Sequence, residues 1–147
     1  MRRPPRAAGT PLLSPPLVTW GLVQGTTAFA FLAGLYAIAV SAGLPDGDVR
    51  ALTFVSLVLV DLGLVLVNRN FSASLRDLIG QRNRALIWIS GATVALLGLV
   101  VGTPLGRELF RFGPLHVDDI SLVAFVVFAT MATLEATKRL WRERLGR

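Results

Sequence analysis

Four long apolar stretches, each near the length of a bilayer crossing, constrain this sequence more than anything else in it. A helix rises about 1.5 Å per residue and the hydrocarbon layer is about 30 Å thick, so about 20 predominantly apolar residues make a span. The first stretch, residues 17–42 (LVTWGLVQGTTAFAFLAGLYAIAVSA), contains no charged side chain. The second, about 51–67 (ALTFVSLVLVDLGLVLV), is interrupted only by Asp61. The third, about 85–101 (ALIWISGATVALLGLVV), is again free of charge. The fourth is apolar over residues 120–134 and reaches about 119–137 when Asp119 and Glu135 place their carboxylates at the interface. Soluble bundle helices would need polar faces, which these stretches lack. The expected fold is an all-α membrane protein with four transmembrane helices in an antiparallel bundle over residues 17–137. A Pro/Arg-rich segment, 1–16, precedes it and a basic tail, 138–147, follows. The first stretch is too long for a secretory signal, whose apolar core runs to about 7–15 residues.

Charge supplies the orientation. With 15 Lys+Arg against 9 Asp+Glu the formal net charge is +6, a balance that in a soluble protein would point to nucleic acid. Here 53% of residues are hydrophobic and only 16% charged, so the placement of the basic residues decides the question. Arg2, Arg3 and Arg6 precede the first span, Arg69, Arg76, Arg82 and Arg84 lie between the second and third, and Lys138, Arg139, Arg142, Arg144 and Arg147 follow the fourth. Twelve of the 15 basic residues therefore fall on one side, leaving Arg50, Arg107 and Arg111 on the other with Asp46, Asp48, Glu108, Asp118 and Asp119. By the positive-inside rule both termini are cytoplasmic, which makes the chain a multi-pass protein of the cell membrane. The basic residues face headgroups, with Trp141 at the interface, and membrane lipids rather than nucleic acid are the expected partner.

The connections carry turn chemistry. Residues 44–48 (LPDGD) join the first two spans as a tight hairpin turn. Residues 68–84 form a longer polar loop, and residues 102–117 mix Pro and Gly breakers with an apolar and basic stretch, 105–112, suited to a short interfacial helix.

Few residues are equipped for chemistry. Asp61 is the one ionisable residue well inside a span. A carboxylate at the bilayer centre costs about 2.5–3.5 kcal/mol on insertion scales, so it is expected to face a protein interior or a water-filled cavity. It is an ion-binding candidate, a metal ligand or proton-pathway residue; the alternative is a protonated acid that hydrogen-bonds a neighbouring helix. Gln24, Thr26, Thr27, Ser56, Ser90 and Thr93 are neutral and suited to interhelical hydrogen bonds. Gly21 with Gly25 and Gly98 with Gly102, at GxxxG spacing, are helix-packing candidates, as are the pairs Ala30 with Gly34 and Gly91 with Ala95. Trp20, Tyr36 and Trp88 lie towards span ends, where aromatic anchors gather. His116, beside Asp118 and Asp119, reads as a solvated loop residue rather than a cation ligand. With no Cys and a single His, the chain has neither a disulfide framework nor a multi-histidine metal site. No phosphate-binding loop, nucleophile elbow or HExxH is present, so no catalytic residue is assigned and no enzyme activity is expected of the chain alone.

Several segments, in order, resemble one family. MRRPPR followed by TPLLSPPLVTWGLVQG is similar to the connection after the sixth membrane helix of cation-transporting P-type ATPases and the start of the seventh, where M-x-R-P-P-R/K and G-L-x-Q-G are common. ALTFVSLVLVDLGLVLVNRNFSASL resembles the eighth helix, whose usual form runs A-F-T-x-L-V, an amide or acid, an apolar run and N-x-R-S. PLGRELFRFGPLH, an acidic pair and a last helix with a basic tail resemble the loop between helices nine and ten. The resemblance implies the carboxy-terminal membrane module of such a pump, helices seven to ten. Its partner would be the upstream portion of the ATPase, which in this family carries the nucleotide-binding, phosphorylation and actuator domains; neither D-K-T-G-T nor T-G-E occurs here. It also implies a transported cation, calcium or another, with no cofactor in the chain itself. Aligning the F-T-x-L-V pattern on residues 54–58 places Asp61 at the position that supplies an acidic ion ligand in calcium pumps. The asparagines often found three and six residues further on are Leu64 and Val67 here, which leaves the ion open. The alternative reading is a small independent multi-span protein, either an oligomeric channel or transporter built around Asp61 or a regulatory subunit.

Overall fold

The computed structural model describes residues 15–69 and 84–145, and every regular element in them is helical. The helices are α1 (Pro15–Ser41), α2 (Asp46–Arg69), α3 (Arg84–Gly102), α4 (Pro104–Phe110) and α5 (Val117–Leu145). Three are long and apolar enough to cross a membrane over Val18–Ser41, Asp46–Leu66 and Val117–Lys138. Counting the bent pair of α3 and α4 as one gives four. The MRRPPR motif, most of the 68–84 loop and the Trp141 side chain lie outside what is described.

Each helix stops where local chemistry stops it. At the end of α1 the amide of Gly43 donates to Val40 O (3.0 Å) and that of Leu44 to Ala39 O (3.2 Å). This reciprocal closure needs a left-handed residue, and Gly43 supplies it at φ 74° without the clash a Cβ would bring. Pro45 follows at once and its carbonyl accepts the amides of Asp48 and Val49, so α2 begins at Asp46, five residues earlier than the apolar run suggested. Asp46 and Asp48 then occupy its first turn, where carboxylates offset the helix dipole. α5 opens on His116, whose carbonyl takes the Ile120 amide while its own N–H donates to Asp119 Oδ2 at 2.8 Å. That is the backward half of a capping box.

α2 lies at the centre. It packs along α1 and α5, which also touch one another, while α3 touches only α2 and the α4 that follows it and has no buried residue among those described. The core joins Leu35 and Ala39 of α1, Val49 and Leu52 of α2, and Val123 and Val126 of α5. Lower down, Gly63 lets Met131 of α5 lie directly on the α2 backbone; a Cβ at Gly63 would come within 2.6 Å of the Met131 sulfur. At the other end the α1–α2 turn meets the segment after α4, where Asp48 covers Gly113 and a Cβ on Gly47 would stand 2.8 Å from the Gly113 nitrogen. Both connections therefore sit at the same end of the bundle, opposite Pro15 and Leu145.

An elbow separates α3 from α4, whose axes differ by 85°. Thr103 makes the break: its Oγ1 donates to Leu99 O (2.8 Å) and accepts the Gly106 amide (3.1 Å), and Pro104 takes the first helical position. Gly106 is buried against the backbone of Val100, with its carbonyl as nearest atom. α4 and the segment after it are tied to α2 by ring contacts, Phe54 stacked on Phe110 at 6.1 Å and tilted against Phe112 at 5.2 Å between centroids. A short helix is thus present in this stretch, starting one residue before and ending two residues before the end of the 105–112 segment.

Candidate functional site

Asp61 lies on the side of α2 turned away from its neighbours. At about 100° per residue the inward stripe is Leu52, Ser56 and Val60, all buried, and Asp61 projects well round from it. Its side chain is exposed and no described residue bonds to it. The carboxylate does not face the interior of this bundle. The reason is geometric: Val60 and Gly63 take the inward positions against α1 and α5, which carries Asp61 outward with Leu57 and Asn68 above and below it. It stands five residues, about 7.5 Å at 1.5 Å per residue, inside the Leu66 end of its span.

Two turns further along the same face, Asn68 accepts a hydrogen bond from Gln24 Nε2 at 2.7 Å. Gln24 is 4% exposed, so this contact fastens the start of α1 to the end of α2. The Gln of GLVQG and the Asn of the NRN step, far apart in sequence, meet here. Of the other polar residues singled out, Thr93 donates to its own helix at Ile89 O (2.9 Å), Thr26 is exposed, and the Ser56 and Ser90 hydroxyls are enclosed without a partner among the described residues. Thr130, which the sequence did not single out, is fully buried and donates to Val126 O at 2.7 Å.

The spaced glycines face outward. A Cβ at Gly21, Gly25, Gly98 or Gly102 would meet nothing within 4 Å, so helix contacts within this chain are made at Gly63, Gly106, Gly47 and Gly113 instead. On α1 the inward stripe is Trp20, Gln24, Ala28, Leu35 and Ala39, and it turns Gly21 and Gly25 aside. Trp20 is correspondingly buried at 3% rather than set among lipid, while Tyr36 and Trp88 are exposed as anchors would be. His116 is exposed, its Nδ1 3.5 Å from Asp119 Oδ2, and serves to cap α5.

No group of three or more metal-ligating side chains occurs among the described residues. A calcium ion takes about 6–8 oxygen ligands, so Asp61 could be at most one of a larger set brought from elsewhere. The arrangement is a helical bundle that presents a single carboxylate on the exposed side of α2, two turns from the Asn68–Gln24 bond that ties α2 to α1. The family model for the C-terminus of cation-transporting ATPases matches residues 1–140. No curated protein matches the chain.

Proposed function

Because the chain belongs to the family of cation-transporting ATPase C-termini, and is a multi-pass membrane module of that kind, we propose that it supports the transport domain of a P-type pump in the cell membrane and lends Asp61 to the cation path. Asp61 carries this reading. A carboxylate within a span that no described helix of its own chain covers needs a protein or aqueous surface opposite it, and lipid is the costly alternative. The outer face of α2 is therefore the docking face for the upstream helices, and the cation, calcium or another, completes its ligand set from them. ATP hydrolysis belongs to the upstream portion. The 12 basic residues that precede the first span, lie between the second and third and follow the fourth support cytoplasmic termini.

The test is Asp61→Asn in a pump reassembled from this chain and its upstream portion. The amide keeps the volume and removes the charge, so insertion and assembly stay intact. Cation affinity falls by at least about tenfold, the low end of what even an outer-shell partner contributes to a metal site. Unchanged affinity together with weakened assembly would make Asp61 an interhelical hydrogen-bonding residue only.

A further inference from the structure

α4 has no role in the reading above, yet its surface is divided between apolar and charged side chains. It lies between two spans, α3 ending at Gly102 and α5 starting at Val117, and its axis is turned 85° from α3. A helix so placed runs along the membrane surface when its neighbours cross the bilayer. Which side faces the bilayer is marked by Gly106, pressed onto Val100 near the end of α3.

At about 100° per residue measured from Gly106, Leu105, Leu109 and Phe110 occupy the arc from about −100° to about +40°, while Arg107, Arg111 and Glu108 occupy the remaining arc from about +100° to about +200°. Leu105 and Leu109 are 77% and 75% exposed, so the protein does not cover the half that points towards the bilayer. On the opposite half, neither arginine has an ion-pair partner among the described residues, and the Nε of Arg107 is enclosed without an acceptor. Burial of Nε fixes the guanidinium stem and leaves the terminal nitrogens as its free donors. Apolar side chains below and unpaired guanidinium groups beside them match the layering of a leaflet, acyl chains beneath phosphates.

We propose that α4 is an in-plane membrane foot, with Leu105 and Leu109 embedded in the leaflet opposite the chain termini and Arg107 and Arg111 bound to phospholipid phosphates. The bilayer is its occupant. Bidentate guanidinium–phosphate contacts fix the elbow's height, and the Phe54–Phe110–Phe112 stack passes that height to α2.

The chain has no Cys, so single-cysteine variants label cleanly. L109C and E108C, each carrying an environment-sensitive fluorophore on the full chain, are reconstituted into phosphatidylcholine vesicles containing a shallow nitroxide-labelled phosphatidylcholine. The label at position 109 is expected to sit about 5–10 Å below the headgroups and to be quenched by the nitroxide at least about threefold more than that at 108, with the order reversed for aqueous iodide. Equal quenching of both by iodide would overturn the proposal. So would a position-109 label that neither quencher reaches, since protein would then cover the face. In vesicles with added phosphatidylglycerol, Arg111→Gln lowers the embedded fraction by about fivefold while Arg111→Lys keeps most of it. Arg111 is exposed, so this change leaves the fold intact, as far-UV circular dichroism would verify; an unchanged fraction would overturn the phosphate contact.

Discussion

Replacing Gly106 by alanine adds one methyl group at the point where α4 bears on α3. The new Cβ would lie 2.8 Å from both the carbonyl carbon and the Cα of Val100, and closer still to its oxygen. Carbon pairs rest at about 3.5–4.0 Å, so a gap of at least about 0.7 Å has to open. The obstructing atoms are backbone within a continuous helix, so no rotamer change relieves the contact and α4 must swing out. Two interactions then loosen: the Gly106 amide's bond to Thr103 Oγ1, a cap of about 1 kcal/mol, and the Phe110 ring on Phe54, about 0.5–1.5 kcal/mol. The expected loss is about 2 kcal/mol, against which the better helix propensity of alanine returns less than about 1 kcal/mol. Gly102→Ala is the control, because a Cβ there meets nothing within 4 Å. Reversible unfolding of both variants in mixed micelles, followed by circular dichroism, gives the comparison. A Gly106→Ala chain within about 0.5 kcal/mol of wild type, the ordinary scatter of a neutral surface change, would refute the tight elbow and the geometry built on it.

Two further outcomes follow from the same structure. The Gln24–Asn68 hydrogen bond joins two membrane helices at the end of the α2 span, and a double-mutant cycle with Gln24→Leu and Asn68→Leu should return a coupling of about 0.6 kcal/mol, the average for bonds between membrane helices; zero coupling would place the two amides apart. Arg111 ends α4 at φ 54°, a left-handed conformation that costs a side-chain-bearing residue about 1–2 kcal/mol and glycine nothing comparable. Arg111→Gly should therefore be more stable than Arg111→Ala by about 1 kcal/mol in lipid-free micelles, and equal stabilities would contradict that backbone angle.

The helices were legible because apolar runs of bilayer length admit few other structures, and a break after α3 was legible in the Pro and Gly breakers of 102–117. Asp61 stood out by the cost of its charge, but not the direction in which it points. A periodic pattern defines faces of a helix without saying which face turns inward, and that choice depends on how all the helices fit together. GxxxG spacing therefore drew attention to Gly21, Gly25, Gly98 and Gly102, which stand open, whereas Gly63 is singled out only by the methionine that lies on it from 68 positions further along. Trp20 illustrates the same limit. Its position near a span end suggests an anchor, and only the packing of α1 in the bundle buries it. The elbow's angle was hidden too, because it depends on Gly106 meeting Val100, a contact between two segments rather than a property of either.

The central place of α2 has a consequence for the order in which the molecule can be made. Synthesis delivers α1 and α2 first, and their hairpin can close as soon as both are inserted. Val123, Val126 and Met131, which complete the core and cover Gly63, belong to the helix that arrives last. Until then the hairpin holds half a core, and α3, with nothing buried, adds little to it. Closure is a long-range event and slow by comparison with the hairpin, so insertion of α5 is the committing step. A chain stalled before that helix would present an unfilled groove to the translocon and to quality-control proteases, whereas a finished one would not.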